Sequence, residues 1–208
     1  MSRCLATVRR MTHEVIVALA VLGVAGQVTV SLLLLAGLLA GAGVSAPLAA
    51  LRRIADGREV WAAFVVAAVA TGGSLYLSEI AGYQPCELCW FERVCVFALS
   101  ILLLSLAWQG EARLTRYLIP FPLAGVGVSI YHLVIENGVV KESAFCVSSP
   151  AGVVHGATCS LRWFDEFGYV SITVLALTAS LLLIGFLALT LSPRPGETGT
   201  AGDQADLA

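Results

Sequence analysis

Two cysteines separated by two residues stand at the edge of an apolar stretch. They are Cys86 and Cys89, in the segment GYQPCELCWFERV at residues 82–94. Pro85 suits the first turn of a helix, where its missing N–H group breaks no hydrogen bond. Such a turn presents free N–H groups and the positive end of the helix dipole, and both stabilise the thiolate, which is the reactive form of cysteine. The pattern therefore predicts a redox-active cysteine pair.

Arg93 stands four residues after Cys89, so that both side chains share one face of the predicted helix. An arginine at a membrane boundary is a functional candidate, because its charge is costly in hydrocarbon. We expect its cation to hold a thiolate or a reduced, anionic ligand. From these residues alone, the cysteine pair also fits a structural disulfide or half of a zinc site.

A second pair, Cys146 and Cys159, lies in the Gly-, Ser- and Pro-containing segment at residues 136–169. Thiol–disulfide exchange requires an accessible sulfur, because it proceeds through a mixed disulfide. A disulfide in this segment is either within reach of a partner protein or only a staple of the loop. Together with His155 the pair is also a candidate for zinc, but its spacing is poor for a tetrahedral site, and we predict no metal.

Four other polar or aromatic residues have simpler interpretations. His132 lies in an apolar run, where it either packs as a hydrogen-bonded histidine or contacts a ligand. Glu92 stands near the membrane boundary, where solvation explains it. Cys95 is about 240° around the helix from Cys89 and is expected to pack. Trp163 is interpreted as part of an interfacial aromatic belt.

The composition is that of an integral membrane protein. The chain has 208 residues, of which 58% are hydrophobic and 12% charged, and its net charge of −2 offers no basic surface for nucleic acid. Five apolar runs are long enough to cross a bilayer as helices. They are residues 15–40, 60–78, 89–108, 117–135 and 167–191.

Five spans put both cysteine-bearing segments and the N-terminus on one side of the membrane. Arginines in the loops at 44–59 and 109–116 favour the cytoplasm for the other side, but three arginines in the N-terminal tail remove the net bias. Disulfides persist outside the cytoplasm, so the cysteines decide the orientation. We therefore expect the active-site segments to face outside the cytoplasm, in the inner or plasma membrane.

The segment YQPCELCWFERV resembles the DsbB family of disulfide bond formation membrane proteins, and most closely its BdbC-like branch. The shared motif is Pro-Cys-x-x-Cys followed by an aromatic pair, an acidic or amide residue and arginine. The resemblance extends to SIYH at 129–132 and FGYVSITVLALTAS at 167–180, and it runs from about residue 60 to 190. This chain has Thr158 where that branch often has proline before the last cysteine.

The resemblance implies a four-helix transmembrane bundle around a quinone, to which this chain adds one N-terminal transmembrane helix. The predicted division is a tail at 1–14, the extra helix and a cytoplasmic loop at 15–59, the redox domain at 60–191, and a disordered tail at 192–208.

The resemblance also implies a relay of disulfide exchanges. The Cys146–Cys159 disulfide oxidises a soluble thioredoxin-like protein of the DsbA type and is itself reoxidised by Cys86–Cys89. Cys89 then passes electrons to ubiquinone or menaquinone, with Cys89, Arg93 and His132 as the cofactor-binding residues. The expected activity is that of a protein-disulfide:quinone oxidoreductase.

Two other functions fit the same residues. A vitamin-K-epoxide-reductase-like protein also has four helices, a Cys-x-x-Cys pair and a quinone, but its pair usually sits later in the bundle than Cys86 does. A non-catalytic metal-binding or scaffold membrane protein would use the cysteines as ligands or staples. The presence of zinc or of bound quinone in the purified protein would separate these functions.

Overall fold

The computed structural model describes residues 2–55, 57–141, 146 and 158–191. Within these residues the protein is helical and has no β-strand beyond one isolated bridge between Glu166 and Val170. Five helical segments of this part are long and apolar enough to cross a membrane, which confirms the prediction of an all-α membrane protein. They are Arg9–Gly41, Glu59–Ile80, Glu87–Gln109, Ala112–Glu136 and Ile172–Leu191.

The six α-helices found in the described ranges are numbered in chain order. They are α1 (Ser2–Gly41), α2 (Ala46–Ala55), α3 (Glu59–Leu75), α4 (Glu87–Gln109), α5 (Pro120–Glu136) and α6 (Ile172–Leu191). Helix α3 continues into a π-helical turn at Tyr76–Ile80, and a 3-10 helix at Ala112–Leu118 leads into α5.

Helices α3, α4, α5 and α6 form the predicted four-helix bundle, in which each helix contacts the next and α6 contacts α3. Leu99 and Leu103 of α4 are fully buried against Leu183 and Leu187 of α6. Because lipid is as apolar as leucine, this packing holds the helices together through close contact rather than through transfer out of water.

Helix α1 lies outside this bundle and runs parallel to α6. Gly23 of α1 packs against Leu175 near the start of α6, and Leu33 packs against Gly185 near its end. The hydroxyl of Tyr169 donates a hydrogen bond to the side-chain oxygen of Gln27 at 2.8 Å. The N-terminal end of α1 therefore lies at the end of the bundle where α6 begins.

Two helix boundaries differ from those predicted. The helix that contains the first span begins at Ser2, because the segment before Gly23 has no proline or glycine to interrupt it. The last span begins at Ile172, so its predicted start at residue 167 is wrong. Phe167 has a φ of 56°, which takes the backbone out of the helical conformation. Ser171 then caps α6 by accepting a hydrogen bond from the Val174 N–H group at 3.4 Å.

Candidate active site

The first cysteine pair stands at the start of α4. Cys86 is the N-cap residue, and its sulfur accepts a hydrogen bond from the N–H group of Cys89 at 3.4 Å. The two sulfurs lie 3.0 Å apart. Pro85 precedes the cap and is not in the first turn as predicted, because the Cys86 sulfur takes the capping position and the helix begins at Glu87.

The surroundings of Cys86 favour its thiolate. The hydrogen bond from the Cys89 thiol has the largest effect, burial opposes it, and the imidazole of His132 adds to it, so that the pKa of Cys86 is lowered to about 4. His132 Nε2 lies 3.6 Å from the Cys86 sulfur. Because the thiolate is the reactive form, Cys86 is held ready for exchange at neutral pH.

A buried polar network extends from Cys86 into the bundle. His132 Nδ1 lies 3.4 Å from Glu92 Oε1 and 3.4 Å from the Thr173 hydroxyl. Ser129 donates a hydrogen bond to the same Glu92 oxygen at 2.9 Å. All four side chains are buried, so the interpretation of Glu92 as a solvated boundary residue is wrong. The network joins α4, α5 and α6 and fixes the orientation of the imidazole beside Cys86.

Arg93 is buried and is held by α3. Its Nε donates to the Ser74 hydroxyl at 2.9 Å, and one terminal nitrogen donates to the Ser74 carbonyl oxygen at 3.0 Å. Its guanidinium carbon lies 5.2 Å from the centre of the Trp90 ring. Among the ion pairs of the described residues none involves Arg93, so neutral groups position the cation and do not neutralise it.

Cys89 and Arg93 both line a cavity of about 290 Å³ between α1, α3, α4 and α6. Most of its lining is aliphatic or aromatic, and the few polar groups include Gln84 and Glu92. A mainly apolar cavity with few polar groups fits a quinone, which has an apolar tail and a ring with two carbonyl oxygens. His132 does not belong to this lining; its described partners are Cys86, Glu92 and Thr173.

The second cysteine pair is bonded and lies beside the first. Cys146 and Cys159 form a disulfide, with 5.9 Å between their Cα atoms. Cys159 is buried in one cluster with Cys86, and Cys89 and Cys146 pack against that cluster. A small cavity of about 20 Å³, room for about one water molecule, lies between Cys86 and Thr158. The fold thus brings together all four cysteines that the sequence singled out.

The disulfide between Cys146 and Cys159 limits which residues can bind a metal. Cys146 and Cys159 are not available as ligands while they are bonded to each other. His155, the third member of that candidate site, lies outside the described residues. The atoms of Cys86, Cys89 and His132 that could bind a metal lie within 4.8 Å of one another, so the reduced first pair could hold a thiophilic ion.

Two sets of contacts fix the segment after Cys159. Arg162 Nε lies 2.8 Å from the buried Glu136 carboxylate, and its terminal nitrogens contact Asp165 at 3.1 Å and Asn137 at 2.8 Å. The ring of Trp163 stacks on Tyr83, with 4.8 Å between ring centres. Trp163, interpreted from the sequence as a belt residue, also lines the large cavity.

Sequence reasoning missed several residues of this site. Ser129 and His132 are three residues apart on α5, so their shared helix face was a signal that Glu92 has buried partners. Ser74 carried no such signal, because its contact with Arg93 depends on how α3 packs against α4. Cys95 packs close to Gly125, away from the other cysteines of the site.

Comparisons with known proteins find matches whose names all refer to disulfide formation. A family model described as disulfide bond formation protein DsbB matches residues 57–192. Disulfide bond formation protein C of Bacillus subtilis is 37% identical over 130 residues, which cover 62% of this chain and 90% of that protein. Probable disulfide formation protein C 1 of Bacillus anthracis is 35% identical over 124 residues, 59% of this chain and 80% of that protein. No solved structure gives a significant match.

Proposed function

Since the chain belongs to the DsbB family of disulfide bond formation proteins, we propose that it reoxidises a soluble thioredoxin-like protein of the DsbA type and passes the electrons to a membrane quinone. Its family and its five candidate spans make it a multi-pass membrane oxidoreductase of disulfide bond formation. One observation carries the finer proposal. Cys89 lines an apolar cavity beside Arg93, while its neighbour Cys86 is buried with Cys159.

The first exchange takes place at the second cysteine pair. Cys146 is less buried than Cys159, so the thiolate of the partner attacks the Cys146 sulfur. A mixed disulfide forms and Cys159 leaves as a thiolate. The second thiol of the partner then breaks the mixed disulfide, and Cys146 leaves as a thiolate. Two electrons have moved from the partner, now a disulfide, to Cys146 and Cys159.

The second exchange joins the two pairs. Cys159 and Cys86 share one buried cluster, so the Cys159 thiolate attacks the Cys86 sulfur and Cys89 leaves as a thiolate. Cys146 then attacks Cys159, which restores the Cys146–Cys159 disulfide and releases Cys86. A thiol with a low pKa is the better leaving group, and the pKa of Cys86 is lowered to about 4. The electron pair now belongs to Cys86 and Cys89.

Electrons leave the chain at Cys89, which faces the large cavity, and the Cys86–Cys89 disulfide forms again as they leave. A bound quinone supplies the acceptor for two electrons and two protons. Arg93 supplies a fixed positive charge at this point, where partial exclusion of water strengthens its effect. His132 Nε2 is placed to hold the proton of the Cys86 thiol, and Glu92 orients the imidazole. The predicted contact of His132 with the cofactor stays a prediction.

We propose that the cysteine-bearing end of the bundle faces outside the cytoplasm, in the cell membrane. The parallel course of α1 and α6 supports the predicted placement of the N-terminus at this same end. A membrane-impermeant maleimide, added to intact cells after mild reduction, should label Cys146 and Cys159. Labelling that requires permeabilised cells would overturn both the orientation and the proposed partner.

The test of the function uses the full chain in lipid nanodiscs with a reduced thioredoxin-like protein and either ubiquinone or menaquinone. We expect one quinone to be reduced for each disulfide formed in the partner, as followed by quinone absorbance and by thiol titration. Stoichiometric zinc in the purified protein without quinone reduction would instead favour the metal-binding scaffold, since Cys86, Cys89 and His132 could hold such an ion.

A further inference from the structure

The cavity beside Cys89 has one wall that lies outside the family match. The match covers residues 57–192, whereas α1 ends at Gly41. Helix α1 nevertheless contributes Leu19, Leu22 and Gly23 to the lining of the cavity. An element that this chain adds to the matched family core therefore helps to shape the space next to the reactive sulfur.

Helix α1 packs closely against both α6 and α3 at this position. A Cβ atom on Gly23 would overlap the side chain of Leu175, and one on Gly26 would meet Thr178 and Leu182 of α6 in tight contact. Glycines at helix interfaces in membranes allow such close approach. On the other side, Leu19 packs against Gly73 of α3. Together with the hydrogen bond between Tyr169 and Gln27, these contacts make α1 a defined wall of the cavity.

The cavity reaches the outer surface of the helices between α1 and α3. Three of its lining residues are also among the exposed apolar side chains: Leu22 of α1 is 56% exposed, and Val65 and Val69 of α3 are 53% and 43% exposed. In a membrane-spanning segment such a surface faces lipid. The cavity thus has a polar end at Cys89 and Arg93 and an apolar opening towards the bilayer.

We propose that α1 and α3 form a lateral portal for the isoprenoid tail of the quinone, and that α1 makes the site prefer long-tailed quinones. The inference rests on the proposed function. The division of the lining supports it: a polar ring fits the end at Cys89 and Arg93, and an apolar chain fits the opening between Leu22 and Val65. The tail then extends from the cavity into the lipid, where its transfer from water is favourable.

The test compares the binding of two radiolabelled quinones, one with a long isoprenoid tail and one with none, to the full chain in nanodiscs without any thiol partner. Leu22→Trp narrows the portal. Leu35→Trp is the matched control, because Leu35 is 54% exposed on the same helix and does not line the cavity. We expect Leu22→Trp to lower the ratio of tailed to tailless affinity about tenfold, and Leu35→Trp to keep the wild-type ratio.

A second pair of variants tests the position of α1 rather than the width of the portal. Gly23→Leu should displace α1 through its overlap with Leu175, whereas Gly37→Leu adds the same side chain to α1 where nothing lies within 4 Å of the new Cβ atom. A quinone that carries a photoreactive group on its tail should label α1 around Leu22 in wild type and lose that label in Gly23→Leu. Labelling by this probe does not depend on turnover.

The outcomes separate the two proposals. If wild type binds both quinones, and reduces them once the reduced thioredoxin-like protein is added, but Leu22→Trp keeps the wild-type affinity ratio, the portal is overturned and the redox function stands. The same holds if the photoprobe labels wild type only on α3 to α6. If wild type binds neither quinone, the proposed function is overturned and the portal with it.

Discussion

The two cysteine pairs stand in different kinds of structure. Cys86 and Cys89 occupy the start of α4, where a helix N–H group and a buried imidazole contact the Cys86 sulfur. Cys146 and Cys159 are bonded to each other outside the four helices of the bundle, and the segment after Cys159 is fixed by the contacts of a few side chains such as Arg162. The first pair is surrounded by α4, α5 and α6, and the second pair lies beside it.

The surroundings of the first pair can set the acidity of its thiols, whereas the second pair must be accessible to another protein. Groups on rigid helices can set the acidity of a thiol and the charge next to a cofactor, because they keep their distances during the reaction. A sulfur that must form a mixed disulfide with another protein needs approach from outside instead. We therefore expect changes around Cys86 to alter the chemistry with the quinone, and changes around Cys159 to alter exchange with the partner.

The largest effects should come from removing one sulfur of each pair. Cys89→Ser should abolish quinone reduction, because it removes the sulfur on the cavity, yet its Cys146–Cys159 disulfide should oxidise one partner molecule per chain. Cys146→Ser should stop partner oxidation, while its chemically reduced Cys86–Cys89 pair is still reoxidised by quinone. Quench-flow thiol trapping measures both reactions. A Cys146→Ser protein that oxidises the partner at the wild-type rate would make the second disulfide a staple.

The next largest effect should come from Arg93. Arg93→Ala should lower the efficiency of quinone reduction about 100-fold, since removal of one charge-stabilising donor has effects of this size. Arg93→Lys should recover part of the loss, because it keeps the cation and loses the planar pair of hydrogen bonds to Ser74. Rates at varied quinone concentration measure this, with exposed Arg113→Ala as the control. Coincident curves for wild type and both variants would leave Arg93 only a boundary residue.

How far the sequence predicts this molecule depends on whether a feature is local. The five spans follow from the length and hydropathy of single segments, and the first cysteine pair follows from a short motif. The burial of Glu92 depends on what α5 brings to it, and the wall formed by α1 depends on glycines that meet side chains of α6. Packing between distant segments decides such features, so that one segment can at most suggest them, as the shared helix face of Ser129 and His132 does for Glu92.

The acidity of Cys86 tests whether groups on the helices set the pKa of this thiol. Its pKa of about 4 lies below the ordinary value of 9.0, so its thiolate stabilises the reduced folded protein increasingly from pH 4 to 9, and this contribution is lost as the pH falls towards 4. Alkylation of Cys86 should therefore have its midpoint near pH 4. His132→Ala should move the midpoint upwards and, at pH 3, below both midpoints, lower the thiolate fraction and with it the alkylation rate by about tenfold for each unit of the shift. Peptide mass spectrometry measures the rates, and an unchanged midpoint would contradict the role of His132.

The smallest effect should come from Arg162, whose contacts attach the segment after Cys159 to the end of α5. Arg162→Ala removes a partly exposed ion pair, and such pairs contribute up to about 1 kcal/mol, so exchange between the two cysteine pairs should slow about fivefold. Quinone affinity should stay at the wild-type value, because Arg162 is not among the residues that line the large cavity. Glu136→Gln removes the charge but keeps the shape and should slow exchange less, and exposed Lys141→Ala should have no effect.

Single-turnover trapping of the disulfides measures the exchange between the two cysteine pairs. If Arg162→Ala instead lowered quinone affinity and left exchange unchanged, the second segment would be part of the cofactor site, and the division between a tuned pair and an accessible pair would be wrong.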